Sequence, residues 1–515
     1  MMMLLPLYHH HLHRFSTNQH SLKRFIFPNN TTTTHSRTNI RKRSLHRSPT
    51  LQKHEILSLN VPTFDGKWML PSHVHYHIPS SSSSSSSRDN SSDDDAIVLS
   101  SSLTKTTSLP PILLLCGWAG AGTCDWGLLP KLISYQTKRH VITFDPRGIG
   151  NAIQNTTHQY NQGETHPHPQ QDQYSKERIT FDSMALDALA VIQTYYQTIQ
   201  KMNAKNEKTN ASKSSNNCDS KMTFCVGGVS MGGIVAQHIA HMTSTSSCSN
   251  DDDNMVRETM EDNPIVPKPL HEQFEVSSLG LICTSLAKHI IPSKQKQQHH
   301  QDQWTKILHN DNHFLNSFDQ WPSSSSSSSL PSSSTKSELD DLDQLKLQYI
   351  QNFFNAMGDS FLAKPGRKTL QTKLMKGYIQ TRKEFVNGNS NQAILQQKNL
   401  LLKYYAHVFH NDDSNHDNSA EYDSIDTTDM IGLDAMKWRQ DVPFIIIHGD
   451  EDRVIPVSHA KVMHSYLQSD SHTSDVNQKK ENLIILNECD HLCWITHGHE
   501  VAKALGNFWA KRKEC

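Results

Sequence analysis

Phe224-Cys225-Val226-Gly227-Gly228-Val229-Ser230-Met231-Gly232-Gly233 is a β-like apolar run that breaks at Gly228-x-Ser230-x-Gly232 and continues as the helix-like Ile234-Val235-Ala236. A serine in that context sits on a turn so tight that its flanking positions tolerate almost no side chain. Its hydroxyl stands clear at the C-terminal edge of a sheet, and the next residue's N–H lies beside it at a helix N-terminus. Gly and Ser also make ordinary turns, so the motif gains its meaning from the strand before it and the helix after it.

Outward from this turn the chain alternates. Apolar runs of buried-strand type occur at Pro111 to Cys116, Val141 to Phe144, Thr223 to Val226, Leu279 to Cys283, Phe444 to Ile447 and Leu483 to Leu486. Helical spacing occurs at Trp126 to Tyr135, Ile179 to Ile199, Ile234 to Met242, His459 to Leu467 and Val501 to Ala510. Continuous apolar strands alternating with amphipathic helices predict an α/β fold, with a mostly parallel sheet covered by helices on both faces. Ahead of it, Thr63 to Trp68 and the alternating Val74 to Ile78 predict a β-hairpin region turning at Asp65-Gly66.

Bulk composition limits how much of the 515 residues is core, because only 35% are hydrophobic. Ser80 to Ser87, Asp93 to Asp95 and stretches near 201–220, 244–275 and 469–480 are polar, and they read as excursions from a single domain. About 160 residues separate Cys283 from Phe444. Helical periodicity at Asp340 to Met357, Lys368 to Phe385 and Ala393 to Phe409 predicts a helical cap inserted above the strand ends, roofing an apolar pocket; Ser323 to Ser329 and 411–424 read as its loops. The expected division is a leader over 1–54, core over 55–285 and 441–515, and cap over 286–440.

The formal net charge of -1 gives no global reason to expect nucleic acid as a partner. No apolar run approaches the roughly 18 residues that span a bilayer. Nine cysteines lie scattered; Cys116, Cys225 and Cys283 fall in strand-like runs, as buried reduced thiols would, and Cys489 with Cys493 lacks a second pair for zinc. The first 54 residues contain no Asp or Glu but carry Arg14, Lys23, Arg24, Arg37, Arg41, Lys42, Arg43, Arg47 and Lys53. That composition suits a mitochondrial presequence, the alternatives being a disordered basic tail and a cytoplasmic protein.

A nucleophilic serine needs a base, an acid to orient it and donors for the oxyanion. The acid candidates lie in His448-Gly449-Asp450-Glu451-Asp452 after one strand, and the base candidate in Cys489-Asp490-His491 after the last. The chain holds 33 histidines; His491 is singled out by its position, His497 and His499 read as solvated, and His448 as structural. Leu115-Cys116-Gly117-Trp118 runs from a strand into a glycine-rich loop, so the oxyanion donors fall to the backbone N–H groups of Trp118 and Met231, whose side chains would also line the substrate pocket. Asp145-Arg147 reads as a turn with an ion pair, and Asp187 as a solvated helix carboxylate.

Five pieces in this order resemble the cap-bearing members of the α/β-hydrolase fold: Cys116-Gly117-Trp118, Asp145-Pro146-Arg147-Gly148-Ile149-Gly150, Gly228-Val229-Ser230-Met231-Gly232, the Asp452 segment and Asp490-His491. The resemblance spans roughly residues 60–512 and leaves the cap and polar inserts unmatched. It implies a triad of Ser230, Asp452 and His491, picks Asp452 over the turn-forming Asp450 by its spacing from Gly449, and requires no metal or organic cofactor. Expected substrates are small-molecule or lipid esters. A carboxylic ester with an apolar acyl group comes first, with thioesters and lipid deacylation as alternatives and a non-catalytic binding scaffold as the rival of another class. Two departures stand out: Cys116 replaces the His that commonly opens the oxyanion loop, and Asp490, in place of Gly, precedes the histidine, where a carboxylate would bias the imidazole upward.

Overall fold

The computed structural model describes residues 53–78, 109–154, 179–207, 221–244, 269–285, 357–385, 393–394, 396–401, 442–469 and 482–511. Among the described residues nine strands lie in one sheet: β1 (Lys53–Pro62), β2 (Trp68–Ile78), β3 (Ile112–Leu115), β4 (Val141–Phe144), β5 (Ile153–Gln154), β6 (Met222–Val229), β7 (Phe274–Ile282), β8 (Phe444–Gly449) and β9 (Leu483–Leu486). The helices are α1 (Leu129–Thr137), α2 (Phe181–Glu207), α3 (Met231–Met242), α4 (Leu270–Gln273), α5 (Asp359–Ala363), α6 (Arg367–Phe385), α7 (Val457–Ser469), α8 (Cys493–Thr496) and α9 (Gly498–Ala510). Residues 393–394 and 396–401 are also helical.

The strand order is β1-β2-β4-β3-β6-β7-β8-β9, with β5 on β2. From β4 to β9 every pairing is parallel, while β1, β2 and β5 add an antiparallel edge. The hairpin turns at Asp65-Gly66, where Gly66 adopts φ 67 and Asp65 accepts from the Lys67 N–H at 3.0 Å. Because β3 is flanked by β4 on one side and β6 on the other, the chain reverses its direction of travel there. Crevices at strand C-termini near such a reversal are where ligands bind in open α/β sheets.

All six predicted strand runs are present. β6 and β7 are longer than expected; β7 begins at Phe274 and runs through Glu275, Ser277 and Ser278, with a register shift on β6 that skips Ser277 between the Phe224–Val276 and Cys225–Ser278 pairs. Two groups of buried side chains cover the sheet. One contains α2 and α3 residues such as Leu189, Ile192 and Ile234; the other contains α1 and α9 residues such as Ile133, Leu505 and Trp509. Gly227 and Gly280 are paired in register, and a β-carbon on either would come within 3.1 or 3.0 Å of the Trp509 indole. Two bare backbones thus form the floor for that ring. Buried Arg139 ties this face together, donating to Pro110 O at 3.2 Å and Trp509 O at 3.1 Å.

Among the cap expectations, Lys368 to Phe385 corresponds to α6, and the helix expected from Ala393 is seen over 393–394 and 396–401. Asp340 to 356, 402–409, the leader up to residue 52, Ser80 to Ser87, Asp93 to Asp95, Ser323 to Ser329 and 411–424 lie outside the described residues. β1 begins at Lys53, two residues inside the segment assigned to the leader. Of the cysteines expected in buried strands, Cys225 and Cys283 are buried, whereas Cys116 lies past the end of β3 and is half-buried. No helix among the described residues is long and apolar enough to cross a membrane.

The hairpin stacks imidazoles. His54 lies 5.5 Å from His75, centroid to centroid, and His54 Nε2 and His75 Nδ1 are buried without a hydrogen-bond partner. Burial lowers His75 from 6.5 to about 3 and His54 from 6.5 to about 4. These rings resist protonation when folded and accept it when unfolded. Their contribution therefore leaves stability unchanged above pH 6.5 and erodes it as pH falls from 6.5 toward about 3. We expect urea unfolding of His75→Leu to show a shallower acid limb than wild type, by on the order of 3 kcal/mol at pH 4, with parallel curves above neutrality.

Candidate active site

At the end of β6 the backbone turns through Ser230 with φ 54 and ψ -123. A non-glycine residue held there costs about 1–3 kcal/mol and needs neighbours that over-determine it. They are present: the Ser230 N–H donates to Ile282 O at 2.9 Å, and Ser230 O accepts from the Gly233 N–H at 2.9 Å and the Thr284 hydroxyl at 2.7 Å. The glycines make the turn sterically feasible. A β-carbon on Gly228 would lie 2.1 Å from Gly232 O, and one on Gly232 would lie 2.2 Å from Leu115 O. Across from the turn, a β-carbon on Gly117 would come within 3.1 Å of Ser230 Cβ, so the loop after β3 passes directly over the serine. Met231 is the first residue of α3, and its N–H has no carbonyl four residues back to bond. It points the positive end of a helix at the same place.

Two strands away, β8 and β9 end flush, with Gly449 opposite Leu486. Their following loops are stitched together: Asp450 N–H donates to Leu486 O at 3.0 Å, Glu451 N–H to Cys489 O at 2.9 Å, and Cys489 N–H to the Asp450 carboxylate at 3.1 Å. A β-carbon at Gly449 would stand 2.3 Å from Cys489 O, so only glycine lets the last loop cross so closely. Asp450 is exposed and shapes this turn, while Asp452 is buried.

Asp452 Oδ2 lies 2.8 Å from His491 Nδ1 and 3.2 Å from His448 Nε2, and Oδ1 accepts the N–H groups of Val454 at 2.9 Å and Ile455 at 2.8 Å. Burial pushes this carboxyl up, but the charge and hydrogen bonds of His491 and His448 outweigh it and hold the group below the usual carboxylate range. His448 is fully buried, and its Nε2–H donates to Ile455 O at 2.7 Å. Cys283, His448 and Asp452 also form a compact set of potential metal-binding atoms; Asp452, however, already accepts from three donors, His491 Nδ1–H and the N–H groups of Val454 and Ile455.

The structure joins Asp452 to His491 directly. Among the described hydrogen bonds, none links the Ser230 hydroxyl to His491. Their surroundings do meet: Ser230 N–H bonds Ile282 O, and the next residue, Cys283, places its thiol 3.9 Å from Asp490 O and 3.4 Å from Cys493 Sγ, on either side of His491. The His491 ring packs edge-on against Trp494, 6.2 Å between centroids, and Trp494 Nε1–H donates to Asp125 O beyond the glycine-rich loop. Trp118 is half-buried on that loop, with its indole N–H bonded to Ile394 O at 3.0 Å.

Four expectations change. Asp490 does not turn toward the imidazole: its carboxylate accepts from Leu492 N–H at 2.7 Å, Gly358 N–H at 3.1 Å and the Thr496 hydroxyl at 3.2 Å. It fastens the cap and the start of α8 instead. His497 is half-buried against Thr496 and Cys489 rather than solvated, and the Cys489 thiol raises its affinity for a proton. Arg147 pairs with Asp187 and not with Asp145, which accepts from Thr123 and Asn151. Asp187 is accordingly buried, at 1% exposure, in a bidentate contact of 2.7 and 2.6 Å. No periodicity separates a paired buried carboxylate from a solvated one on the same helix. Only the Asp-Pro-Arg turn after β4 hinted at a partner. Beside the turn a cavity of about 20 Å3, lined by Leu115, Cys116, Met231 and Asp187 among others, has room for one water.

Strand order and the strained serine turn together define an α/β-hydrolase fold. Solved structures similar to this chain include potato (Solanum tuberosum) epoxide hydrolase I, 12% identical with TM-score 0.42, over 89% of this chain and 100% of that one. A meta-cleavage product hydrolase from Pseudomonas fluorescens IP01 is 12% identical with TM-score 0.38, over 88% and 97%. Rv0554 from Mycobacterium tuberculosis is 14% identical with TM-score 0.34, over 78% and 90%. No protein-family model matches the chain, and no curated protein sequence does.

The Arg147–Asp187 pair supports the element that backs the serine turn. Removing one partner strands a buried charge, so Arg147→Met should lower the unfolding free energy by about 3–5 kcal/mol. Arg147→Met with Asp187→Leu should recover most of that loss. Urea titration of the two variants measures both.

Proposed function

We propose that the protein is a serine hydrolase in which His491, oriented by Asp452, removes the proton of Ser230 as its oxygen attacks an acyl carbonyl. The observation that carries this reading is the 2.8 Å contact between Asp452 and His491 on the strand rim that also holds the strained Ser230 turn. Asp452 accepts from Nδ1, so Nε2 is left as the basic nitrogen. Bonds between nucleophile and base are often long without substrate and tighten in the complex, which accommodates the unjoined Ser230 and His491. The tetrahedral oxyanion falls to the backbone N–H groups of Met231 and Trp118, each typically worth about 3–4 kcal/mol in the transition state. His491 then protonates the leaving group, and water releases the acyl group from Ser230.

The substrate class this reading favours is a carboxylic ester with an apolar acyl part, because Met357 and Phe361 of the cap region belong to the same buried apolar cluster as Trp494, whose ring packs on His491. Thioesters and lipid esters fit the same chemistry. We further propose that 1–54 directs the protein to mitochondria; import into isolated organelles followed by N-terminal sequencing tests this, and recovery of an uncut chain outside the organelle would refute it.

A fluorophosphonate probe should label the wild-type protein at Ser230 and leave Ser230→Ala unlabelled. Asp452→Asn should retain the fold while cutting kcat on p-nitrophenyl esters by on the order of 10^3–10^4. Absence of labelling in the wild type would point to a non-catalytic binding scaffold.

A further inference from the structure

The helical residues 393–394 and 396–401 break their own pattern. Ala393, Gln397 and Leu401 recur at helical spacing and are all buried, with Gln397 at 0% exposure and Lys398 at 4% beside it. Apolar ends frame a polar centre, and a local rule broken in a buried stripe marks a functional or strained position. The register of the segment is set on both sides of that centre. Ala393 sits against Gly148, where a β-carbon would lie 2.4 Å from its own, and Ile394 O accepts from the Trp118 indole.

Gln397 Oε1 accepts the Ala119 N–H at 3.0 Å. An N–H needs an oxygen, so this bond fixes the orientation of the amide and leaves Nε2 as its other end. Nε2 is buried and has no hydrogen-bond partner. A buried amide donor without an acceptor costs about 1–3 kcal/mol, and apolar residues of similar size were available to the fold. Ala119 itself has φ 55 and lies two residues beyond Gly117, the glycine packed on Ser230.

We infer that Gln397 is a specificity residue whose Nε2–H2 donates to a second oxygen of the substrate, so that the preferred ester carries a keto or carboxylate oxygen on its acyl chain in addition to the scissile carbonyl. This deepens the proposed hydrolase and rests on it. An acyl chain without that oxygen leaves the amide unsatisfied, and discrimination arises from the unmet donor as much as from the bond gained. Gln397 acts on binding and orientation; it performs no step of the chemistry.

Glutamate separates the two ends of this side chain. Gln397→Glu, assayed above pH 7, keeps an oxygen for Ala119 and loses the donor. The test compares kcat/KM for p-nitrophenyl hexanoate and for the same ester with one keto oxygen on its acyl chain. Wild type should favour the keto ester by about tenfold, the worth of one hydrogen bond, and Gln397→Glu should lose that preference. An equal loss on both esters, or an unchanged preference, overturns the inference. Fluorophosphonate labelling of both proteins keeps the hydrolase reading separate, since labelling with no keto preference sinks Gln397 alone. A measurement without the glutamate variant uses Ser230→Ala, which should bind the keto ester more tightly than the plain one; equal affinities overturn the inference as well.

Discussion

Backbone passing backbone where no β-carbon fits is the constraint on which the site depends. Gly228 and Gly232 let the serine turn fold against the end of β3, Gly117 lets the next loop cross Ser230, and Gly449 lets the final loop cross the acid loop. Each approach would leave a β-carbon between 2.1 and 3.1 Å from its neighbour. A methyl group at any of them pushes a loop outward and moves a functional atom with it. The strands therefore do more than form a core: their flush C-termini deliver four loops to one rim at spacings that only bare backbone allows.

Charge is handled in the same economical way. Asp452 is buried, yet His491 and two backbone N–H groups donate to it, and His448 lies 3.2 Å away. Asp490 is buried beside His491, but its oxygens accept from Gly358, Leu492 and Thr496. One carboxylate thus orients the imidazole while its near neighbour anchors the cap. On the far side of the turn, Arg147 and Asp187 neutralise each other. The cap meets the core at both ends of the site, through Gly358 at the histidine loop and through Ile394 and Gln397 at the glycine-rich loop. Movement of these segments would therefore be felt by the His491 loop and the glycine-rich loop together.

Much of this was legible in the sequence because it depends on period and order. Leu113 to Leu115 and Ile445 to Ile447 are continuous apolar runs, and a parallel strand buried on both faces has to look like that. The serine turn announced itself because glycine is the only residue that fits on either side. What stayed hidden depends on contact. Nothing in the spacing of Asp145, Arg147 and Asp187 says which carboxylate the guanidinium reaches, and nothing in Asp490-His491 says that the two side chains diverge. Gln397 carried no signal either, since one glutamine in a polar-rich segment looks solvated until the fold buries it.

The central claim is that the Ser230 hydroxyl, the His491 imidazole and the donors at Met231 and Trp118 close around one acyl carbon. A crystal structure of the protein after reaction with a phosphonate ester tests it most directly, because the bound phosphorus mimics the tetrahedral carbon. The account predicts phosphorus on Ser230 Oγ, its free oxygen about 3 Å from the Met231 and Trp118 N–H groups, and His491 Nε2 within hydrogen-bonding reach of Oγ. An adduct on another side chain, or an adduct on Ser230 with His491 still turned away and the oxygen facing solvent, would contradict it.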